Sequence, residues 1–155
     1  RLARMAVEDV GLADPRAIQQ ALAARQVYEQ LGSPEGDLAL AQVAVYLALA
    51  PKSNALEVAW SRATVHARET GSAPPPLHIL NAPTRMMREM GYGAGYRYDH
   101  DEPDAFSGQA YLPDEVEKTR YYRPVARGFE RELQRRLEWF DKLRVRRRGG
   151  GAGTE

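Results

Sequence analysis

A chain of 155 residues, 43% hydrophobic and 28% charged, fits one domain with a real core. Its formal net charge of +1 is too small to argue by itself for a nucleic-acid partner, and the absence of cysteine excludes disulfides and thiolate metal sites. The most apolar run, Leu38 to Ala50, contains Gln42 and is too short to cross a bilayer, and no stretch has signal-peptide form, so the expectation is a cytoplasmic protein with no membrane partner.

The helical pattern is under way at Arg1, with no initiator Met, so the chain reads as part of a longer protein. Leu2, Met5, Ala6 and Val10 share a face of a first helix that Gly11 ends. Arg4, Glu8 and Asp9 read as a solvated or inter-helix face. Asp14-Pro15 starts a second helix, with Asp as cap and Pro at the first helical position, running to Leu31 and stopped by Gly32. Ser33-Pro34 repeats that start. The helix that follows, Leu38 to Ala50, is apolar on nearly all sides, which demands burial either in the centre of the domain or against another subunit. Leu38, Val45 and Leu49 are the candidate oligomer-interface residues.

Pro51 breaks that helix, and Ser53 or Asn54 caps the next, Ala55 to Glu69, whose apolar side is Leu56, Ala59, Trp60, Ala63 and Ala67. His66 lies on it without a second ligand at metal spacing and reads as a structural or surface histidine. Gly71 to Pro76 is an extended connector. Thr84 to Met90 makes a short helix whose Met86, Met87 and Met90 read as core filler.

Gly91-Tyr92-Gly93-Ala94-Gly95 lacks the Gly-Lys-Ser/Thr ending of a phosphate loop and follows a helix, so it reads as turn chemistry needing positive φ. Tyr96-Arg97-Tyr98 alternates like a strand and pairs, in this reading, with Arg120-Tyr121-Tyr122 as a small β-ribbon. Asp99, Asp101, Glu102 and Asp104 form an acidic cluster that either stays solvated, meets nearby arginines, or holds a divalent cation. The whole stretch from Asn81 to Pro124 carries most of the aromatic residues of the chain, which predicts an ordered loop, its tyrosines mainly buried. Pro124 opens a last helix with an apolar stripe of Phe129, Leu133, Leu137 and Phe140. It ends in Lys142, Arg144, Arg146, Arg147 and Arg148, which serve either as plain helix capping and solubility or as a phosphate-binding arm. Residues 149–155 read as a disordered tail.

No nucleotide motif, serine elbow or cysteine nucleophile is present, so no catalytic, cofactor or metal residue is named in this chain. The order and spacing of RMAVEDVGLADPRA, LALAPKSNA, NAPTRMMREMGYGAGYRYDHDEPDAFSGQAYLPDE and RYYRP nonetheless resemble the C-terminal part of the replication-associated recombination protein A family. That family is also called MgsA and is related to the Werner-helicase-interacting protein. Ala94 departs from it, standing where a Lys is expected, and Asp99 is more acidic than the pattern. Both weaken a phosphate cradle there.

The resemblance implies an all-α fold: a helical array like a clamp-loader collar, with an ordered aromatic loop. It implies one oligomerisation domain over residues 1–148, collar-like over 1–73 and family-specific over 74–148. Family members carry an N-terminal AAA+ module that binds ATP and Mg²⁺, act at replication forks, and form homotetramers through this region. The implied role is tetramerisation without catalysis in this chain. DNA and single-strand-binding protein are implied partners of the whole protein. The alternative is a module that binds single-stranded DNA or a replication partner through the tyrosine-rich loop and basic arm, with Arg97, Arg144, Arg146, Arg147 and Arg148 as candidate DNA contacts.

Overall fold

A computed structural model describes residues 1–149, with side chains as far as Arg147. The expected tail beyond residue 149 and the Arg148 side chain lie outside the described residues. Among these residues the chain is helices, turns and loops with no strand, the all-α class expected. No described helix is long and apolar enough to cross a membrane. The chain forms two compact units: Arg1–Val65 with Arg120–Leu137, and His66–Thr119 with the chain from Glu138.

In the first unit, α1 (Leu2–Met5) continues through a wider turn, Ala6–Val10, and Gly11 ends it at φ 54°. Helices α2 (Ala17–Leu31) and α3 (Asp37–Leu49) form a hairpin closed by Gly32. The core beneath is built of small residues: Ala6, Val10, Ala17, Ala21, Ala24, Val43 and Leu47 are all buried. The three α2 alanines at i, i+4 and i+7 let the helices approach closely. Gly36 has the same role at the hairpin turn, where a Cβ would lie 2.7 Å from the Gly32 carbonyl oxygen and 2.8 Å from the Tyr28 Cα.

α2 starts at Ala17 rather than at Pro15, yet Asp14 still caps the turn: its carboxylate accepts the Arg16 N–H at 3.2 Å. It also accepts the Tyr46 hydroxyl at 2.5 Å and the Arg16 guanidinium at 3.1 Å, so α3 is tied to the start of α2. Burial alone would raise the Asp14 pKa, but the hydrogen bonds from Arg16 and Tyr46 outweigh it and hold the carboxyl below its ordinary value. A depressed carboxyl contributes stability that is complete above its unfolded pKa of about 3.9 and is lost as pH falls through the folded value. Asp14→Asn is therefore expected to flatten the acid limb of stability below about pH 4, read as denaturation midpoints against pH.

α4 (Ala55–Thr70) begins as expected: Ser53 Oγ accepts the Ala55 N–H at 3.2 Å. The carbonyl end of α3 is closed by Lys52, whose ammonium donates to the carbonyls of Leu47 at 2.7 Å, Ala48 at 3.2 Å and Ala50 at 2.6 Å. The expected apolar side of α4 is only half inside. Ala55 and Ala59 are buried, but Trp60 is 73% exposed and borders a surface groove with Val7 and Leu56.

The last helix, α6 (Glu130–Gly149), starts six residues after Pro124. Residues 125–129 are drawn off into a turn: Phe129 N–H donates to the Ala13 carbonyl at 2.8 Å, and Gly128 takes φ 50° with its Cα face against that carbonyl. A Cβ on Gly128 would stand 2.0 Å from the Ala13 oxygen, so only glycine fits this crossing.

Glu130 is wholly buried. Its carboxyl oxygens accept the Ser53 hydroxyl at 2.9 Å, the Tyr122 hydroxyl at 2.9 Å and the Val125 N–H at 2.7 Å. Burial, then the bond to Glu130, pushes the Tyr122 phenol well above its ordinary pKa.

In the second unit, α5 (Arg85–Glu89) is capped by Thr84 Oγ1, which accepts the Met87 N–H at 3.2 Å. Met86 and Met90 are exposed, so these two do not fill a core as expected; a helix of five residues has too little face to bury both. Gly91, Gly93 and Gly95 all take positive φ, as the turn reading requires. The expected β-ribbon is absent. The Arg97 N–H is taken by the Gln109 side chain at 2.9 Å, and a strand partner has no donor to use there.

Candidate functional site

Two features gather the residues that the sequence marks for function, one in each unit. The first is the outer face of α3. Leu38, Val45 and Leu49 step by seven and four and share that face. They are 75%, 60% and 82% exposed. Ala41, Gln42 and Ala48 between them are exposed as well. Val43 and Leu47 are buried in the core, with Ala39, Leu40 and Tyr46 partly buried against it. The central burial that an all-round apolar helix suggests is thus not met within one chain, because α1 and α2 cover a single side of it. Leu38, Val45 and Leu49 thus form an exposed apolar row along one face of α3, interrupted by Gln42.

The second feature is the loop over residues 95–109. The Gln109 carboxamide closes it, accepting from Arg97 N–H and donating to the Gly95 carbonyl at 2.7 Å. Asp99 accepts the Ser107 N–H at 2.7 Å, and hydrogen bonds from Ser107 hold its pKa down. Two acids of the cluster, Asp99 and Glu102, are taken up by their own chain. Glu102 receives both forks of Arg97 at 2.6 Å and one nitrogen of Arg147 at 2.8 Å. The Arg97 hydrogen bonds are the chief reason its carboxyl is held low. Arg147 also donates to the Pro103 carbonyl. The Phe106 ring packs on Phe140 at 5.0 Å between centroids, and the Arg144 guanidinium lies 5.3 Å above it.

Beside this loop, a cavity of about 590 Å³ is lined by His78, Asn81, Gly93, Tyr96 and Tyr111 among others. His78 Nε2 is a buried nitrogen without a hydrogen-bond partner among the described residues. Tyr96, Tyr98 and Tyr111 are each about half exposed, so these three do not serve mainly as buried struts as expected.

Of the candidate DNA contacts, Arg97, Arg144 and Arg147 come together on one turn. Arg146 is exposed, and the Arg148 side chain lies outside the described residues. The sequence reasoning missed Glu130 and Asp14 as organising acids. Asp14 carried a signal in its capping position; Glu130 carried none, because its burial depends on Ser53, 77 residues away, as well as on Tyr122 and Val125 nearby.

Comparison with known proteins places these features in context. The family described as MgsA AAA+ ATPase C terminal matches residues 1–141. The "Replication-associated recombination protein A" of Coxiella burnetii is 50% identical over 144 residues, 92% of this chain and 33% of that protein. The protein of the same name from Escherichia coli K12 is 49% identical over 140 residues, 90% of this chain and 31% of that protein. "ATPase WRNIP1" of Dictyostelium discoideum is 41% identical over 123 residues, 79% of this chain and 14% of that protein. The chain spans about a third of the length of the two bacterial relatives.

Proposed function

Because the chain belongs to the MgsA AAA+ ATPase C-terminal family, we propose that it is the part of a longer ATPase through which copies assemble into a homotetramer. The observation that carries this is the exposed row Leu38, Val45 and Leu49 on α3. Covering a leucine or valine side chain gains about 1.5–3 kcal/mol each, and a symmetric contact counts every residue twice. A collar of helices holding ATPase subunits together fits a domain whose most apolar helix is turned outward.

In this reading ATP, Mg²⁺ and hydrolysis belong to the rest of the longer protein, and this chain supplies no catalytic group. The names of the bacterial relatives point to work in replication-associated recombination; DNA and single-strand-binding protein are the partners this reading proposes for the longer protein.

Light scattering of the chain over a dilution series tests the assembly. The expected mass is that of four chains, persisting as concentration falls. A single-chain mass at every concentration would sink the proposal.

A further inference from the structure

The arginines that the sequence marks for phosphate do meet, but they meet their own chain. Arg97 and Arg147 converge on the carboxylate of Glu102, and Arg144 covers the ring of Phe106. The Pro103 carbonyl takes a second Arg147 nitrogen. The acceptors of Arg97 and Arg147 sit on one short turn, residues 102–106, whose Phe106 ring lies under Arg144; Arg144 also pairs with Asp141 on its own helix at 3.2 Å. The guanidinium fork fits carboxylate and phosphate with the same bidentate geometry, so Glu102 stands where a phosphate's oxygens would bind. The turn is also held in a costly conformation. Asp104 and Ala105 take φ 62° and 48° in succession, a region that non-glycine residues avoid. A turn kept there by its contacts relaxes once those contacts are replaced.

We infer that residues 102–106 form a latch over a phosphate-binding surface made by Arg97, Arg144 and Arg147, and that its ligand is a single nucleic-acid strand. The strand's phosphates take the guanidiniums from Glu102, and the turn lifts. The strand is favoured over a bare phosphate because Tyr96, Tyr98 and Tyr111 of the same unit stand half exposed, offering faces for bases to stack on. None of these residues lies on α3, so this inference stands apart from the assembly proposal.

Fluorescence anisotropy of a short labelled oligothymidylate with the whole chain tests it. Glu102→Gln is expected to bind about tenfold tighter than the unchanged chain, with the salt slope steeper by about 1.4, two phosphate contacts at roughly 0.7 each. Adding Arg97→Ala and Arg147→Ala should return affinity to the starting level. Ala105→Gly keeps every partner and relieves only the shut turn, so it should weaken binding about threefold. No gain from Glu102→Gln, or a gain that survives loss of both arginines, overturns the latch. So does a Glycine variant that binds as tightly as the unchanged chain. A gain seen with anionic lipid vesicles but not with oligothymidylate overturns the nucleic-acid assignment.

Discussion

Glu130→Ala is expected to cost the fold about 4 kcal/mol, the sum of stranding three donors, one buried and two part-buried, that now share one carboxyl group. The Ser53 hydroxyl, the Tyr122 hydroxyl and the Val125 N–H all end on Glu130, and water has no access to that side chain. Each donor would have to stay unpaired or pull its segment toward solvent. The segments concerned are the entry to α4, the 122–125 stretch and the first turn of α6, so the loss spreads beyond the mutated helix. With a urea slope of about 2 kcal/mol per molar, the midpoint should fall by about 2 M. Glu130→Gln keeps the shape and one acceptor oxygen but turns an amide donor toward other donors. It should cost less than the alanine and more than Tyr122→Phe, which removes a single bond. A loss below about 1 kcal/mol for Glu130→Ala would mean that the three donors find other acceptors.

Val45→Asp is expected to reduce the scattering mass to that of one chain while leaving the helical signal in circular dichroism intact. The two readouts separate because Val45 is 60% exposed in the single chain. A carboxylate there remains hydrated, and the cost to folding should stay within about 0.5 kcal/mol. In an assembly that covers the row, the same carboxylate is stripped of water with no Lys, Arg or His on α3 to receive it, and burial of an unpaired charge costs several kcal/mol. Leu49→Ala is the milder companion. It removes about 2 kcal/mol of apolar contact per copy, enough to raise the dissociation constant more than tenfold without introducing repulsion. A Val45→Asp chain that stays associated and folded would show that the row is not the contact.

What the sequence made legible is local. Gly11 and Gly32 end their helices where the pattern stops, α4 spans the expected residues, and the three glycines of residues 91–95 all take positive φ. Each of those outcomes depends on a residue and its immediate neighbours. The misses are non-local. The last helix does not open at Pro124 as expected: Ala13, more than a hundred residues earlier, supplies the carbonyl that holds Phe129 before α6 can begin at Glu130. The periodicity of α3 has no preferred side, so nothing in it tells which residues face the core; α1 and α2 decide that by covering Val43 and Leu47. The candidate arginines were legible as charges, whereas the capture of Arg97 and Arg147 by Glu102 depends on a loop closed by Gln109.

The Lys52 ammonium gathers three carbonyls at the end of α3, the turn that carries Leu49. A cation on the last carbonyls steadies a helix end by about 0.3–1 kcal/mol while its amine stays charged. Acylation of Lys52 would let the last turn fray and carry the most exposed leucine of the row out of line with Leu38 and Val45. In the assembly proposed for this row, modification of a single lysine would then loosen the contact between copies.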